Sequence, residues 1–229
     1  MSDYLLCGWR VRSELPLPEL LSWTGDERAP EIHIREGAIP ETLPDLVHST
    51  PLLQIAADGT CRFALRRVGA YLVRRGCEVL VQPVVDQDAP KLRTFLFGTV
   101  FGLLCYQRGL LPLHASCVRI GEGAVAFAGA SGVGKSTLAA AFLKRGHDIL
   151  ADDITVVDVD RPGGPVVLPA FPRLKLWQDA MAVFDIDQSG VVPVRPELKK
   201  YAVPVEARFQ ATPLPLVAVY HLDTVRDPR

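Results

Sequence analysis

Hydrophobic and polar positions follow different rules in different parts of the chain. Up to about residue 81 the apolar residues come in short runs: Tyr4-Leu5-Leu6-Cys7-Gly8-Trp9-Arg10-Val11, Glu31-Ile32-His33-Ile34, Leu52-Leu53-Gln54-Ile55, Arg62-Phe63-Ala64-Leu65, Tyr71-Leu72-Val73 and Glu78-Val79-Leu80-Val81. Gly, Pro and Asp separate them, and strands at that spacing predict a small, mostly antiparallel β unit over residues 1–90. Such a unit either helps to recognise a substrate or extends a sheet to complete a core. Thr94–Tyr106 is the most apolar segment, bounded by Arg93 and Gln107. It is too short to cross a hydrocarbon layer, which needs about 20 residues. It therefore predicts a buried helix packed between the β unit and the following domain, with Gly98 and Gly102 one turn apart to allow close backbone approach.

From residue 115 the pattern changes. Ala115-Ser116-Cys117-Val118-Arg119-Ile120 and Ala124-Val125-Ala126-Phe127-Ala128 flank Gly121-Glu122-Gly123, a hairpin signal. The second of these runs is apolar throughout, as in a strand buried on both faces. Leu138, Ala141 and Phe142 then recur at helical spacing, Lys144 and Arg145 fall in the last turn, and Gly146 suits the position after the helix. A helix of about three turns follows from this. His147-Asp148-Ile149-Leu150-Ala151 reads as the next strand, which a right-handed crossover makes parallel to 124–128. Leu216-Val217-Ala218-Val219-Tyr220-His221-Leu222 reads as another buried strand. Residues 91–229 are thus expected to form an α/β domain.

Between the apolar strand and the helix stands Gly129-Ala130-Ser131-Gly132-Val133-Gly134-Lys135-Ser136-Thr137. Glycines in this order let successive backbone N–H groups curl around phosphates. Lys135 reaches the outer phosphates, and the Ser136 hydroxyl is placed to ligate Mg²⁺. The helix N-terminus points its dipole at the same anion. The string predicts a phosphate-binding P-loop, and hence a nucleotide ligand. Ala151-Asp152-Asp153 closes the next strand on the sheet edge where open α/β sheets bind ligands. One carboxylate, Asp152, suits Mg²⁺, and the other, Asp153, suits the proton of an attacking hydroxyl. On spacing alone a solvated turn or helix cap explains this pair equally well. Folding the hairpin brings His114 opposite roughly Gly129, at the mouth of the loop, where it can orient a carboxylate or contact phosphate.

Leu113-His114-Ala115-Ser116, the Gly129–Ser136 string, and Arg145-Gly146-His147 leading into Ala151-Asp152-Asp153 resemble the catalytic domain of HPr kinase/phosphorylase. The resemblance includes the gaps between motifs and covers about 45 residues. It is greater to the divergent HPr-kinase-related proteins, some of which phosphorylate a lasso precursor peptide. It implies an HPr-kinase-like P-loop core with ATP and Mg²⁺ as cofactors, to which the strand pattern of the first third adds an N-terminal β extension. It also implies phosphate binding by the loop, Mg²⁺ at Ser136, Asp153 as proton acceptor from a substrate serine, and a functional His114. The family's further metal-binding glutamate has no counterpart in Pro169-Ala170-Phe171-Pro172-Arg173-Leu174-Lys175-Leu176-Trp177. Its basic C-terminal loop is echoed only by Lys199, Lys200 and Arg208. Related kinases continue with further helices, whereas this sequence stops at Arg229, consistent with either a short form or missing elements.

These readings combine into an ATP- and Mg²⁺-dependent kinase. Lys135 and the loop hold the phosphates, Ser136 and Asp152 the metal, and Asp153 the acceptor proton, with Asp152, Asp153, His114 and Lys135 as the catalytic set. Lys199, Lys200, Arg173 and Arg208 are candidates to neutralise charge on the transferred group. The resemblance favours a peptide or protein serine as acceptor, a ribosomal-peptide precursor included. A small-molecule kinase and a non-catalytic nucleotide-binding regulatory module remain alternatives. Arg62, Arg66, Arg67, Arg74 and Arg75 crowd a short stretch, but 25 basic against 26 acidic residues leave a formal charge of −1. That balance argues against nucleic acid. The arginines read as solvated strand faces and turns, with a local anionic-peptide contact as the alternative. Cysteines at 7, 61, 77, 105 and 117 are odd in number and lack metal-ligand spacing, which predicts reduced thiols in a cytoplasmic protein. Met1-Ser2-Asp3 opens without a basic region or a long apolar stretch, so neither a signal peptide nor a membrane association is expected. A homo-oligomer is left open.

Overall fold

The first apolar run, Tyr4 to Val11, is a hairpin rather than one strand. Cys7 and Gly8 both take positive φ, 54° and 83°, the conformation that a two-residue type I′ turn requires. Leu6 therefore pairs with Trp9 across the turn. The computed structural model describes residues 1–86, 89–184, 191–194 and 199–224, and the chain divides into two units, Met1–Leu110 and Leu111–Arg229.

The first unit contains β1 (Ser2–Leu6), β2 (Trp9–Ser13), β3 (Leu21–Ser22), β4 (Ile32–Glu36), β5 (Leu46–Ser49), β6 (Leu53–Ala56), β7 (Cys61–Leu65), β8 (Gly69–Arg74) and β9 (Glu78–Pro83). They form one sheet in the order β3-β1-β2-β4-β9-β8-β7-β6-β5. β4 is parallel to β2 and β9, and the remaining neighbours are antiparallel. The apolar segment that follows is helical in three pieces: α1 (Pro90–Phe95), a wide π-type turn over Leu96–Val100, and α2 (Phe101–Gln107). It belongs to the first unit, so the division falls after residue 110 rather than at 90. Leu92, Leu96, Phe97, Val100, Phe101 and Leu104 are buried, and the Tyr71 hydroxyl of β8 donates to the Leu92 carbonyl at 2.8 Å. Gly98 does not mediate a close approach. A Cβ there would meet open space, and the residue instead takes the non-helical φ −101°, ψ −107° that breaks the helix. Among the described residues no helix is long and apolar enough to cross a membrane.

The second unit is mixed α/β. Its strands are β10 (Leu111–Leu113), β11 (Ala115–Ile120), β12 (Gly123–Gly129), β13 (Ile149–Ala151), β14 (Thr155–Asp158), β15 (Val166–Leu168), β16 (Arg173–Trp177), β17 (Val192–Pro193), β18 (Lys200–Pro204) and β19 (Leu214–Leu222); its helices are α3 (Lys135–Lys144) and α4 (Gln178–Val183). Seven strands form one sheet, β10-β14-β15-β19-β12-β11-β13, and three form another, β16-β18-β17. β12 is buried over Gly123–Phe127, as a wholly apolar strand should be. β13 runs in the direction of β12, but hairpin partner β11 lies between them, and the direct parallel neighbour of β12 is β19. β19 is not a buried strand: Ala218 and Leu222 face the core, whereas Val217 and Val219 on the alternate face are exposed.

α3 packs against β11, β12 and β16, and Val118, Phe127, Ala140, Ile149, Leu174, Leu176 and Met181 belong to its core. Its end is a Schellman motif. Gly146, at φ 89°, donates its N–H to the Leu143 carbonyl, and His147 donates to that of Phe142.

Candidate active site

β12 ends at Gly129 and α3 begins at Lys135, so the intervening glycine-rich loop lies at the C-terminal edge of the sheet. Gly129 takes φ 144°, and a Cβ on it would stand 2.5 Å from the Leu222 carbonyl oxygen of neighbouring β19. Gly134 takes φ 104° and turns the chain into the helix. Lys135 is buried and its ammonium donates to the carbonyls of Gly129 and Ala130, at 2.8 and 2.9 Å. Burial lowers its pKa below the ordinary lysine value, while Asp153 and Asp152 partly oppose that shift.

The register of the β11–β12 hairpin pairs Ala115 with Ala128, which carries His114 to the level of Gly129. Ala151 ends β13 one residue before the two carboxylates. Asp152 is 2% exposed and accepts three hydrogen bonds. Oδ1 receives the hydroxyls of Ser116 at 2.6 Å and Ser136 at 2.8 Å, and Oδ2 receives the backbone N–H of Lys175 at 2.7 Å. Asp153 turns the other way from a left-handed backbone, φ 74°. Its Oδ2 lies 2.6 Å from the Lys175 ammonium and its Oδ1 3.9 Å from His114 Nε2. Burial pushes the Asp153 carboxyl up, but Lys175, by charge and hydrogen bond, together with Lys200 and His114, holds it below its ordinary value. For His114, burial and the Lys135 charge outweigh the pull of Asp153 and lower its pKa.

One pocket gathers most of the expected residues. His114, Ser131, Gly132, Gly134, Lys135, Ser136, Thr137 and Asp153 line it, while Gly129, Ala130, Val133 and Asp152 are not among its lining residues. Asp152 is linked to the pocket through two lining residues, the Ser136 hydroxyl and the Lys175 backbone N–H. Of the four cations considered for charge neutralisation, Lys200 lines the pocket. Arg208 instead donates to the Gly146 carbonyl, 3.8 Å from Asp148, and Lys199 and Arg173 are not in the lining.

Three participants escape the sequence reading. Ser116 stands in the sequence as one small residue of an apolar strand, and Lys175 and Trp177 lie in a stretch that carries no carboxylate. The signal for the latter two was the alternation Arg173-Leu174-Lys175-Leu176-Trp177. Leu174 and Leu176 are buried at 0% and 1%, which turns Lys175 and Trp177 to the opposite face.

A Mg²⁺ ion is compatible with the oxygens present. The Ser136 hydroxyl donates its hydrogen bond to Asp152, which leaves the oxygen's lone pairs free for a hard cation. Mg²⁺ characteristically uses one or two protein oxygens and takes the rest from phosphates and water. Among the described residues no three His, Cys, Asp or Glu side chains cluster into a ready-made metal site.

No family model matches this chain, and no curated protein matches it. Among solved structures it has a weak structural similarity to the HPr(Ser) kinase/phosphatase from Coxiella burnetii, with a TM-score of 0.27 and 23% sequence identity. The match takes in 34% of this chain and spans 55% of the length of that one.

Proposed function

We propose that the second unit is a P-loop kinase of the HPr-kinase-like type, transferring the γ-phosphate of ATP to a hydroxyl, with serine in a peptide or protein as the favoured acceptor. The observation that carries this reading is the convergence of Lys135, Ser136 with its buried Asp152, and Asp153 on one pocket at the start of α3. Loop amides and the Lys135 ammonium bind the phosphates. Ser136 would hold Mg²⁺, with Asp152 behind it, and the ion supplies neutralisation of phosphate charge when bound. Asp153 receives the proton of the acceptor hydroxyl as the acceptor oxygen bonds to phosphorus. The bond to the bridging oxygen breaks, and its electron pair leaves with the nucleoside diphosphate. His114, whose Nε2 lies 3.9 Å from Asp153 Oδ1, is placed to orient that carboxylate. All five cysteines are free thiols, which suits a reducing, cytoplasmic setting.

The ion pair between Asp153 and Lys175 supports a second reading, a nucleotide-binding module without transfer, because it weakens Asp153 as a base. Incubation with labelled ATP and candidate serine peptides separates the two. Transfer that is lost in Asp153→Asn supports the kinase. Tight ATP binding with no transfer to peptides or metabolites supports the module, and absence of nucleotide binding defeats both.

A further inference from the structure

The wall of the pocket that faces the glycine-rich loop is built from β16 and β18. Their antiparallel register sets Trp177 opposite Lys200 and Lys175 opposite Ala202. Lys175, Trp177 and Lys200 all line the pocket, and the Lys200 ammonium lies 6.0 Å from the Trp177 ring centre. The small Ala202 leaves the Lys175 stem without a bulky cross-strand neighbour. Lys175 is also fixed at its backbone, since its N–H donates to Asp152 Oδ2 while Asp152 Oδ1 holds the Ser136 hydroxyl. One buried carboxylate therefore aligns the loop wall with the lysine wall.

Positive charge dominates the described lining of this pocket. Among the described residues, Lys135, Lys175 and Lys200 contribute three ammonium groups to it and Asp153 one carboxylate. The Lys175 ammonium is 2.6 Å from Asp153, the point at which a phosphoryl group and its acceptor would meet. A lysine is a point charge on a flexible stem, so its ammonium can pass from a carboxylate oxygen to a phosphate oxygen without moving the strand.

We propose that Lys175 is a phosphate-binding residue that, with Lys200 beside it, grips the outermost phosphate of a nucleoside triphosphate from the side opposite Lys135. The inference rests on the nucleotide reading above. It assigns to a lysine on β16 the task of meeting charge on the transferring group, the role an arginine or a second metal fills in other phosphoryl-transfer sites. Lys135 serves the inner part of the chain of phosphates from the loop, and Lys175 serves its end.

Calorimetric titration of the full chain with ATP and with ADP, both with Mg²⁺, tests this. The unaltered protein should bind ATP more tightly than ADP. Lys175→Met should weaken ATP binding by about tenfold or more, the scale of one charged hydrogen bond, and change ADP binding by less than about twofold. Lys175→Arg should restore most of the preference. Lys200→Met, which leaves the Lys175–Asp153 ion pair intact, should reduce the preference in part, and it keeps the test decisive if Lys175→Met lowers the melting temperature. An ATP-to-ADP ratio unchanged in both methionine variants overturns the proposal. If the unaltered protein binds neither nucleotide, the nucleotide reading itself is what fails.

Discussion

Ser136 Oγ and Asp152 Oδ1 are joined by a 2.8 Å hydrogen bond, and the same carboxylate holds Ser116 and the backbone of Lys175. Asp152 thus ties together β11, the first turn of α3, and β16. These elements come from three separate stretches of sequence, yet all three touch the pocket or position residues that do. A single buried acid sets the spacing between the loop wall and the lysine wall.

That arrangement makes Asp152 a stability determinant as well as a site residue. Asp152→Ala leaves the buried Ser116 hydroxyl and the Lys175 N–H without an acceptor, and should cost about 2–4 kcal/mol. Asp152→Asn keeps one acceptor oxygen and should cost roughly half as much. Urea denaturation of the three proteins checks the order. A loss below about 0.5 kcal/mol in the alanine variant would show that the network contributes nothing.

Two glycines of the loop should differ sharply in tolerance. A Cβ at Gly129 meets the Leu222 carbonyl at 2.5 Å, so Gly129→Ala must push β12 away from β19. Gly132, at φ 86°, has open space where a Cβ would go, and Gly132→Ala carries only the backbone penalty of about 1–2 kcal/mol. Gly129→Ala should be the more destabilising by at least about 1 kcal/mol. Equal melting temperatures for the two variants would contradict the close packing of the strands.

What was legible in the sequence was local. The glycine-rich string, the helix behind it and its Gly146 terminus depend on neighbours within a few residues, and the hairpin register followed from Gly121-Glu122-Gly123. β19 beside β12 was not legible, because that pairing joins segments about 90 residues apart and no short-range pattern encodes it. Lys175 was hidden for a related reason. Its place depends on β16 pairing with β18 and on a carboxylate from β13's end, and a lone lysine in a strand ordinarily reads as solvated. The break at Gly98 was masked by the apolar run around it, and the turn at Cys7-Gly8 by a residue type that rarely takes positive φ.

The β8–β9 hairpin carries an avoidable strain. Arg75 and Gly76 are the central residues of a type I′ turn, with φ of 54° and 63°, closed by the Cys77 N–H to the Arg74 carbonyl at 3.2 Å. Arg75 is exposed, and an arginine is poorly suited to that conformation. Arg75→Asn should stabilise the first unit by about 0.5–1 kcal/mol. A lowered denaturation midpoint would mean that the arginine makes a compensating contact.

Asp3 should govern the acid sensitivity of the first unit. Its carboxylate accepts from Arg12 Nε at 2.7 Å and Nη2 at 2.8 Å, and from Arg10 Nε at 2.8 Å. The Arg12 hydrogen bonds, opposed by burial but reinforced by Arg10, hold its pKa well below the usual carboxylate range. A folded-state pKa below the unfolded one means that the stabilisation is present above the ordinary aspartate value near 3.9 and is lost as pH falls through the folded value. Asp3→Asn should therefore cost about 1–2 kcal/mol at pH 7, consistent with a partly exposed cluster rather than a deeply buried pair. Its melting temperature should approach that of the unaltered protein as pH drops from 4 toward 2. Melts at several pH values in that window read the effect directly. A difference between the two proteins that stays constant down to pH 2 would mean that Asp3 stabilises the hairpin by packing and not by its charge.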